Sequence, residues 1–210
     1  MKSFLDWVFP GDVACFLCGE EAATDARGLC GACAEKLVSA PDMPCPAQLD
    51  GYAAGARFDA ATAGAMHRMK YDDARYLAPF FAALIEVPEE WNAGIIVPVP
   101  LYKKKLRRRG YNQSALIAYA LAERLGLPMN ETLLVRARDT GTQTALNAAA
   151  RGRNVSGAFL ASPEVWGKSI LLVDDVLTTG ATACACAQAL RAVGARAVFC
   201  VTALARPLQI

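Results

Sequence analysis

The sequence predicts an α/β domain built on a mostly parallel sheet, preceded by a small cysteine-braced module. Three observations predict it. Two Cys-x-x-Cys pairs crowd into residues 15–33. From residue 95 onward, short apolar runs alternate with stretches of helical periodicity. The charge also divides: residues 1–94 carry 7 Lys/Arg against 14 Asp/Glu, a net −7, whereas residues 95–210 carry 15 against 6, a net +9. An acidic front and a basic back point to two units, the second facing phosphates of some kind. The boundary is drawn between a module at 1–50 and a domain at 51–210, with 51–94 a helical lead-in.

Of the 210 residues, 54% are hydrophobic and 20% charged. That composition excludes a disordered chain and supports a packed core. The longest uncharged run, Val176 to Leu190, has 15 residues and contains Thr178, Thr179, Gly180 and Thr182. A spanning helix needs about 20 mostly apolar residues. The first fifteen residues lack a long apolar core and carry Asp6 and Asp12, so no export leader is expected. A cytoplasmic protein is the expectation.

In the front module, Cys15 and Cys18 form one pair and Cys30 and Cys33 the other, with 11 residues between them. Each pair sets two thiolates on a tight turn, and together they complete a tetrahedral sulfur site for structural Zn²⁺. A redox or disulfide pair fits a reducing compartment less well, and four cysteines leave no open position for catalysis. Cys45, in a Pro-rich stretch at 41–46, has no partner at that spacing. Cys184, Cys186 and Cys200 read as small buried residues. With 3 basic and 8 acidic side chains in residues 1–50, the ribbon is suited to bracing or protein contact rather than to gripping a nucleic-acid backbone. Residues 57–90 read as helical, and His67, the sole histidine, reads as structural.

In the back domain, Ile95 to Pro100 reads as a strand running into a proline-fixed loop. Leu116, Ile117, Ala120, Leu121 and Leu125 recur at helical spacing, closed by Gly126 and Pro128. Ile170 to Val173 reads as a strand buried on both faces, Thr182 to Val193 as a helix stopped at Gly194, and Ala197 to Ala203 as the next strand. The informative segment is Val173-Asp-Asp-Val-Leu-Thr-Thr-Gly-Ala-Thr182. A strand ends at two carboxylates, and a hydroxyl-rich turn leads into a helix whose first amides cradle an anion. Such a site wants a sugar with a phosphate at one end. A Walker B strand looks similar, but no G-x-x-x-x-G-K-[S/T] loop precedes it.

That segment resembles the phosphoribosyl pyrophosphate (PRPP) loop of type I phosphoribosyltransferases. Val97-Pro-Val-Pro-Leu101, Arg107-Arg-Arg-Gly-Tyr-Asn-Gln-Ser114, Arg151 to Phe159, Ala205-Arg206, Met69-Lys-Tyr71 and the cysteine knuckles resemble the ComF family of competence-associated proteins. Members often carry further cysteine pairs, of which Cys45 alone remains here.

The resemblance implies a type I phosphoribosyltransferase sheet with an N-terminal four-cysteine zinc ribbon. It implies that Asp174 and Asp175 hold the ribose hydroxyls, and that Thr178, Thr179, Gly180, Ala181 and Thr182 cradle the 5′-phosphate. Pro100 and Leu101, with Arg107, Arg108 and Arg109, would face pyrophosphate, and residues 136–154, with Gln143 and Asn147, would form a flap. Transfer would then proceed by loss of Mg²⁺-pyrophosphate from C1′, with Arg109 and the acidic pair as the catalytic set. No segment after the last strand remains to build a base-recognising hood, so the acceptor is unspecified. A catalytic transferase and a non-catalytic PRPP-sensing or nucleic-acid-binding protein on the same fold both follow. The competence role implies transforming single-stranded DNA and the competence machinery as partners. Lys103, Lys104 and Lys105 are the expected nucleic-acid patch, with Tyr102 and Tyr111 available for stacking; a solvated basic face is the alternative.

Overall fold

The computed structural model describes residues 14–137 and 157–206. In chain order its elements are α1 (Gly31–Lys36), β1 (Gly51–Arg57), α2 (Ala60–Tyr71), α3 (Ala78–Ala83), β2 (Ile95–Pro98), α4 (Lys103–Arg109), α5 (Gln113–Leu125), β3 (Leu134–Arg136), β4 (Phe159–Ala161), β5 (Ser169–Leu177), α6 (Ala181–Ala192) and β6 (Ala197–Ala205). Four strands pair in parallel in the order β1-β6-β5-β2, and β3 and β4 form a separate antiparallel hairpin. From residue 138 on, the flap expected at 136–154, including Gln143 and Asn147, lies outside the described residues.

The central strands are apolar because both faces are covered. Ile170 to Val173 are fully buried, the condition under which a strand reads as one continuous apolar run. Leu171, Val173 and Val201 pack with Met66, Met69, Phe81, Ile117 and Leu121 of α2, α3 and α5. Ile170, Leu172 and Cys200 pack on the other face with Cys186 and Leu190 of α6 and with Phe159 of the hairpin. Cys186 and Cys200 are therefore small core residues, as their apolar settings suggest. Helix α2 begins with a capping box: Asp59 accepts from the Ala61 and Thr62 amides while Thr62 accepts from the Asp59 amide. Among the described residues no helix is long and apolar enough to cross a membrane.

Five elements depart from the sequence reading. The lead-in at 51–94 is not wholly helical, since β1 joins the parallel sheet beside β6. Its sequence, Gly-Tyr-Ala-Ala-Gly-Ala-Arg, carries no β-branched signal; small residues fit because α3 ends hard against it. A Cβ on Gly55 would lie 2.6 Å from the Leu84 carbonyl oxygen. The basic run folds as α4 rather than as loop, and β3–β4 is too short to announce itself. Strand β5 runs past its carboxylates to Leu177.

Candidate functional site

The order of the strands creates a crevice before any side chain is considered. Helix α5 follows β2 on one face of the sheet, and α6 follows β5 on the other. Connections thus diverge between β2 and β5, and ligands of open α/β sheets bind outside the carboxyl ends of strands at such a point. The turn after β2, the start of α5 and the β5–α6 loop all gather there.

Asp174 and Asp175 lie within β5, and the start of α5 reaches both of them. Asp175, buried on the α2–α5 face, has both oxygens engaged. Oδ1 accepts the Val176 amide at 2.7 Å, while Oδ2 accepts from Gln113 Nε2 at 2.9 Å and pairs with Lys70 Nζ at 2.5 Å. Asp174 Oδ1 accepts from the Ser114 hydroxyl at 2.8 Å and from the Asp175 amide at 2.9 Å. Burial and then the neighbouring Asp175 charge push the Asp174 carboxyl up to about 7. Burial works the same way on Asp175, but the Lys70 ammonium outweighs it and holds that carboxyl below its ordinary value. The two adjacent residues thus set one firmly ionised group beside one that titrates near neutrality.

Beyond β5, Thr178 and Thr179 are exposed and Thr182 is partly buried. Thr179 Oγ1 accepts the Ala181 amide at 3.5 Å, and α6 starts there, so its first amides open onto the same turn. Gly180 takes φ +74°, and a Cβ on it would stand 2.9 Å from Pro46 Cγ. The Pro-rich stretch thus packs on the threonine loop. Gly180→Ala is expected to lose about 1–2 kcal/mol from the left-handed backbone and to weaken phosphate binding as the loop shifts. Thermal melts and ribose 5-phosphate titration check both.

Pro100 and Leu101 form the turn after β2, which the Val99 amide ties to the Val173 carbonyl at 2.9 Å. A cleft of about 470 Å³ opens beside it, bounded by Pro100, Leu101, Lys103, Tyr111, Asn112 and Arg136. Lys104, Arg107 and Arg108 are exposed, and Lys105 and Arg109 are partly buried. Lys103 is exposed and also borders the cleft, so the three lysines are not one uniform outward patch. Arg109 turns back: its Nη1 donates to Gln113 Oε1, and its guanidinium lies 5.1 Å from the Tyr71 ring centre. Arg109 is thereby one residue removed from Asp175. Tyr111 is not free for stacking, being 8% exposed with its hydroxyl donating to the Met69 carbonyl. Sequence reasoning missed Lys70, Gln113 and Ser114 as site residues. Their signal was present in Met69-Lys-Tyr71 and Gly110-Tyr-Asn-Gln-Ser114, but nothing local says that these segments meet.

In the front module, the sulfurs of Cys15, Cys18, Cys30 and Cys33 all lie within 4.8 Å of one another, and those of Cys18 and Cys30 are 4.0 Å apart. A tetrahedral ion with bonds of about 2.3 Å spaces its sulfurs by about 3.8 Å, so the four can hold a metal ion. Burial raises the Cys15 thiol, but amides of Cys18, Cys30 and Leu17 outweigh it and bring it down to about 6. Burial, with the other sulfurs, pushes Cys33 up to about 12. Four clustered thiolates repel one another, and a cation at their centre removes that repulsion. Cys45 stands apart, its Sγ near the Pro46 and Leu49 carbonyl oxygens at 3.7 Å each.

The phosphoribosyl transferase domain model matches residues 112–209. The DNA utilization protein YhgH of Salmonella typhimurium is 29% identical, the match covering 88% of this chain and 93% of that protein. Competence protein F of Haemophilus influenzae is 38% identical over 47% of this chain and 44% of its own. Among solved structures, the glutamine PRPP amidotransferase from B. subtilis, complexed with ADP and GMP, is 23% identical with a TM-score of 0.40. That match covers 61% of this chain and 25% of the other, so the chain spans about a quarter of that enzyme's length. The domain match opens at Asn112, the α5 cap, and takes in Gln113, Ser114, the acidic pair and the threonine loop. With one relative similar over most of the chain and the domain match over its second half, the chain carries a type I phosphoribosyltransferase fold and is similar to a DNA utilization protein and a competence protein.

Proposed function

We propose that this chain binds PRPP with Mg²⁺ in the crevice between β2 and β5, and acts in the cytoplasm on transforming single-stranded DNA during natural competence. The observation that carries the sugar phosphate reading is the convergence of an acidic pair and a threonine loop at one strand end. Asp174 and Asp175 would face ribose hydroxyls, while Thr178 to Thr182 would receive the 5′-phosphate. Lys103 and the cations at 107–109 stand beside the turn at Pro100 and Leu101, where a pyrophosphate would lie. Mg²⁺ bound to PRPP would neutralise part of that leaving group's charge. Transfer to an acceptor is the enzymatic form of this reading, and sensing of PRPP without transfer is the other. Isothermal titration with PRPP and Mg²⁺, followed by a nucleobase screen for released pyrophosphate, separates them. Absence of heat at saturating PRPP overturns both.

The DNA reading rests on α4 and on the names of the relatives, DNA utilization protein and competence protein F. Six cations in seven residues exceed what one leaving group needs. Replacing Lys103, Lys104 and Lys105 by Glu is expected to weaken single-stranded DNA binding. Its salt dependence should flatten by roughly 0.7 of log-log slope for each phosphate no longer neutralised. Unchanged affinity and slope would return α4 to the status of a solvated face. The four cysteines are proposed to hold a structural zinc, the ion suited to four thiolates in a reducing compartment. Partners in the competence machinery would meet the acidic front of the chain.

A further inference from the structure

We propose that Lys70 is a positioning residue, the built-in counter-cation of the acidic pair, so that the ligand-free site recruits no divalent ion of its own. The proposal rests on the sugar phosphate reading of residues 174–182 and deepens it: the divalent ion would arrive with the ligand, and a ligand without one would still bind.

Several observations set Lys70 apart from an incidental surface contact. Its ion pair with Asp175 has side chains 22% and 10% exposed, whereas Arg27–Asp25 and Arg75–Asp73 stand at 52%/36% and 54%/70%. Exposed pairs of that kind contribute little. Lys70 comes from the last turn of α2, an end that favours a cation. Its chain neighbours are held on every side. Arg68 donates to the Phe16 and Leu17 carbonyls at 2.7 and 3.0 Å, Met69 offers its carbonyl to the Tyr111 hydroxyl, and the Tyr71 ring lies under Arg109. The ammonium is therefore delivered to Asp175 Oδ2 by a pinned helix end, and Gln113 Nε2 shares the same oxygen. Two adjacent carboxylates in a partly dry crevice would otherwise attract a divalent cation strongly, since the Coulomb energy scales with the ion's charge.

The test is a Mn²⁺ titration of the full chain, read by the loss of the free-ion electron paramagnetic resonance signal. Lys70→Met is expected to tighten Mn²⁺ binding by at least about tenfold over wild type. Lys70→Arg should behave as wild type, and Lys70→Met with Asp175→Asn should lose the gain. If the methionine variant does not fold, Lys70→Gln, which keeps a donor and removes the charge, is expected to show the same tightening. Affinity unchanged in the neutral variant, or a gain that survives Asp175→Asn, overturns the role of Lys70. A second arm measures ribose 5-phosphate by calorimetry in the presence of a chelator. Wild type should bind, and Lys70→Met should bind only when Mg²⁺ is restored. Metal-dependent binding in wild type also overturns the role. No binding by wild type with or without Mg²⁺ instead overturns the sugar phosphate reading, and the Mn²⁺ arm still decides on Lys70.

Discussion

Asp174→Asn combined with Asp175→Asn is expected to weaken ribose 5-phosphate binding more than a hundredfold, a loss of at least about 3 kcal/mol for two charge-assisted hydrogen bonds. The chain should stay folded, because each asparagine matches the shape of the residue it replaces and can still accept from Ser114 or Val176. The single variants separate binding from stability. Asp174 carries a folded pKa of about 7 against an ordinary 3.8. The native state thus keeps a proton that the unfolded chain releases, and the contribution of Asp174 to stability falls as pH rises from about 4 through 7. Asparagine does not titrate. Asp174→Asn should therefore match wild type near pH 4 and exceed it at pH 8, by on the order of 2 kcal/mol. Asp175 runs the other way: its pKa is lowered, so its contribution is present above the ordinary value and is lost as pH falls through the folded one. Asp175→Asn should destabilise at neutral pH by about 1–3 kcal/mol, since Lys70 loses its partner. Melts at pH 4 and pH 8 with calorimetry on each variant check the set. Ribose 5-phosphate binding retained within tenfold in the double variant would remove the acidic pair from the site.

The acidic pair is where sequence and structure divide most clearly. The pair was legible because a buried strand running into Asp-Asp and then Thr-Thr-Gly is a rare order of chemistry, all within ten residues. Its geometry was not legible. The strand continues through both carboxylates, both of them meet the start of α5, and Asp175 pairs with Lys70 from 105 residues upstream. No periodicity reports a contact of that range. The same limit explains β1: small residues look like a loop until the end of α3 is seen pressing on them. It also explains Arg109, whose place in a basic run suggested solvent or pyrophosphate. Gln113, four residues on across the α4–α5 junction, accepts from Arg109 and donates to Asp175, linking the two. Helix ends were read well because Gly126 and Gly194 mark them locally.

Removing the thiols of the proposed zinc site is expected to destabilise more than the knuckle. Sequence spacing alone suggests a front module that fails by itself and leaves the back domain intact. The described residues argue for a wider effect, because Leu17 and Leu29 are 2% and 1% exposed within the same apolar cluster as Met66, Phe81 and Ile117. Phe16 packs against Tyr76 and Phe80, with ring centres 6.2 and 5.7 Å away. Arg68 holds the knuckle carbonyls two residues before Lys70. Cys15→Ser with Cys30→Ser should release about one zinc per chain and lower the melting temperature by roughly 10 °C or more, given several kcal/mol of binding energy coupled to folding. Ribose 5-phosphate affinity should fall with it, since α2 loses the anchor that fixes Lys70. Elemental analysis, melts and calorimetry on one preparation distinguish the outcomes. Full zinc retention in the double serine variant would rule out the four-cysteine site. Loss of zinc with an unchanged melt and unchanged sugar phosphate binding would restore the picture of a separable front module.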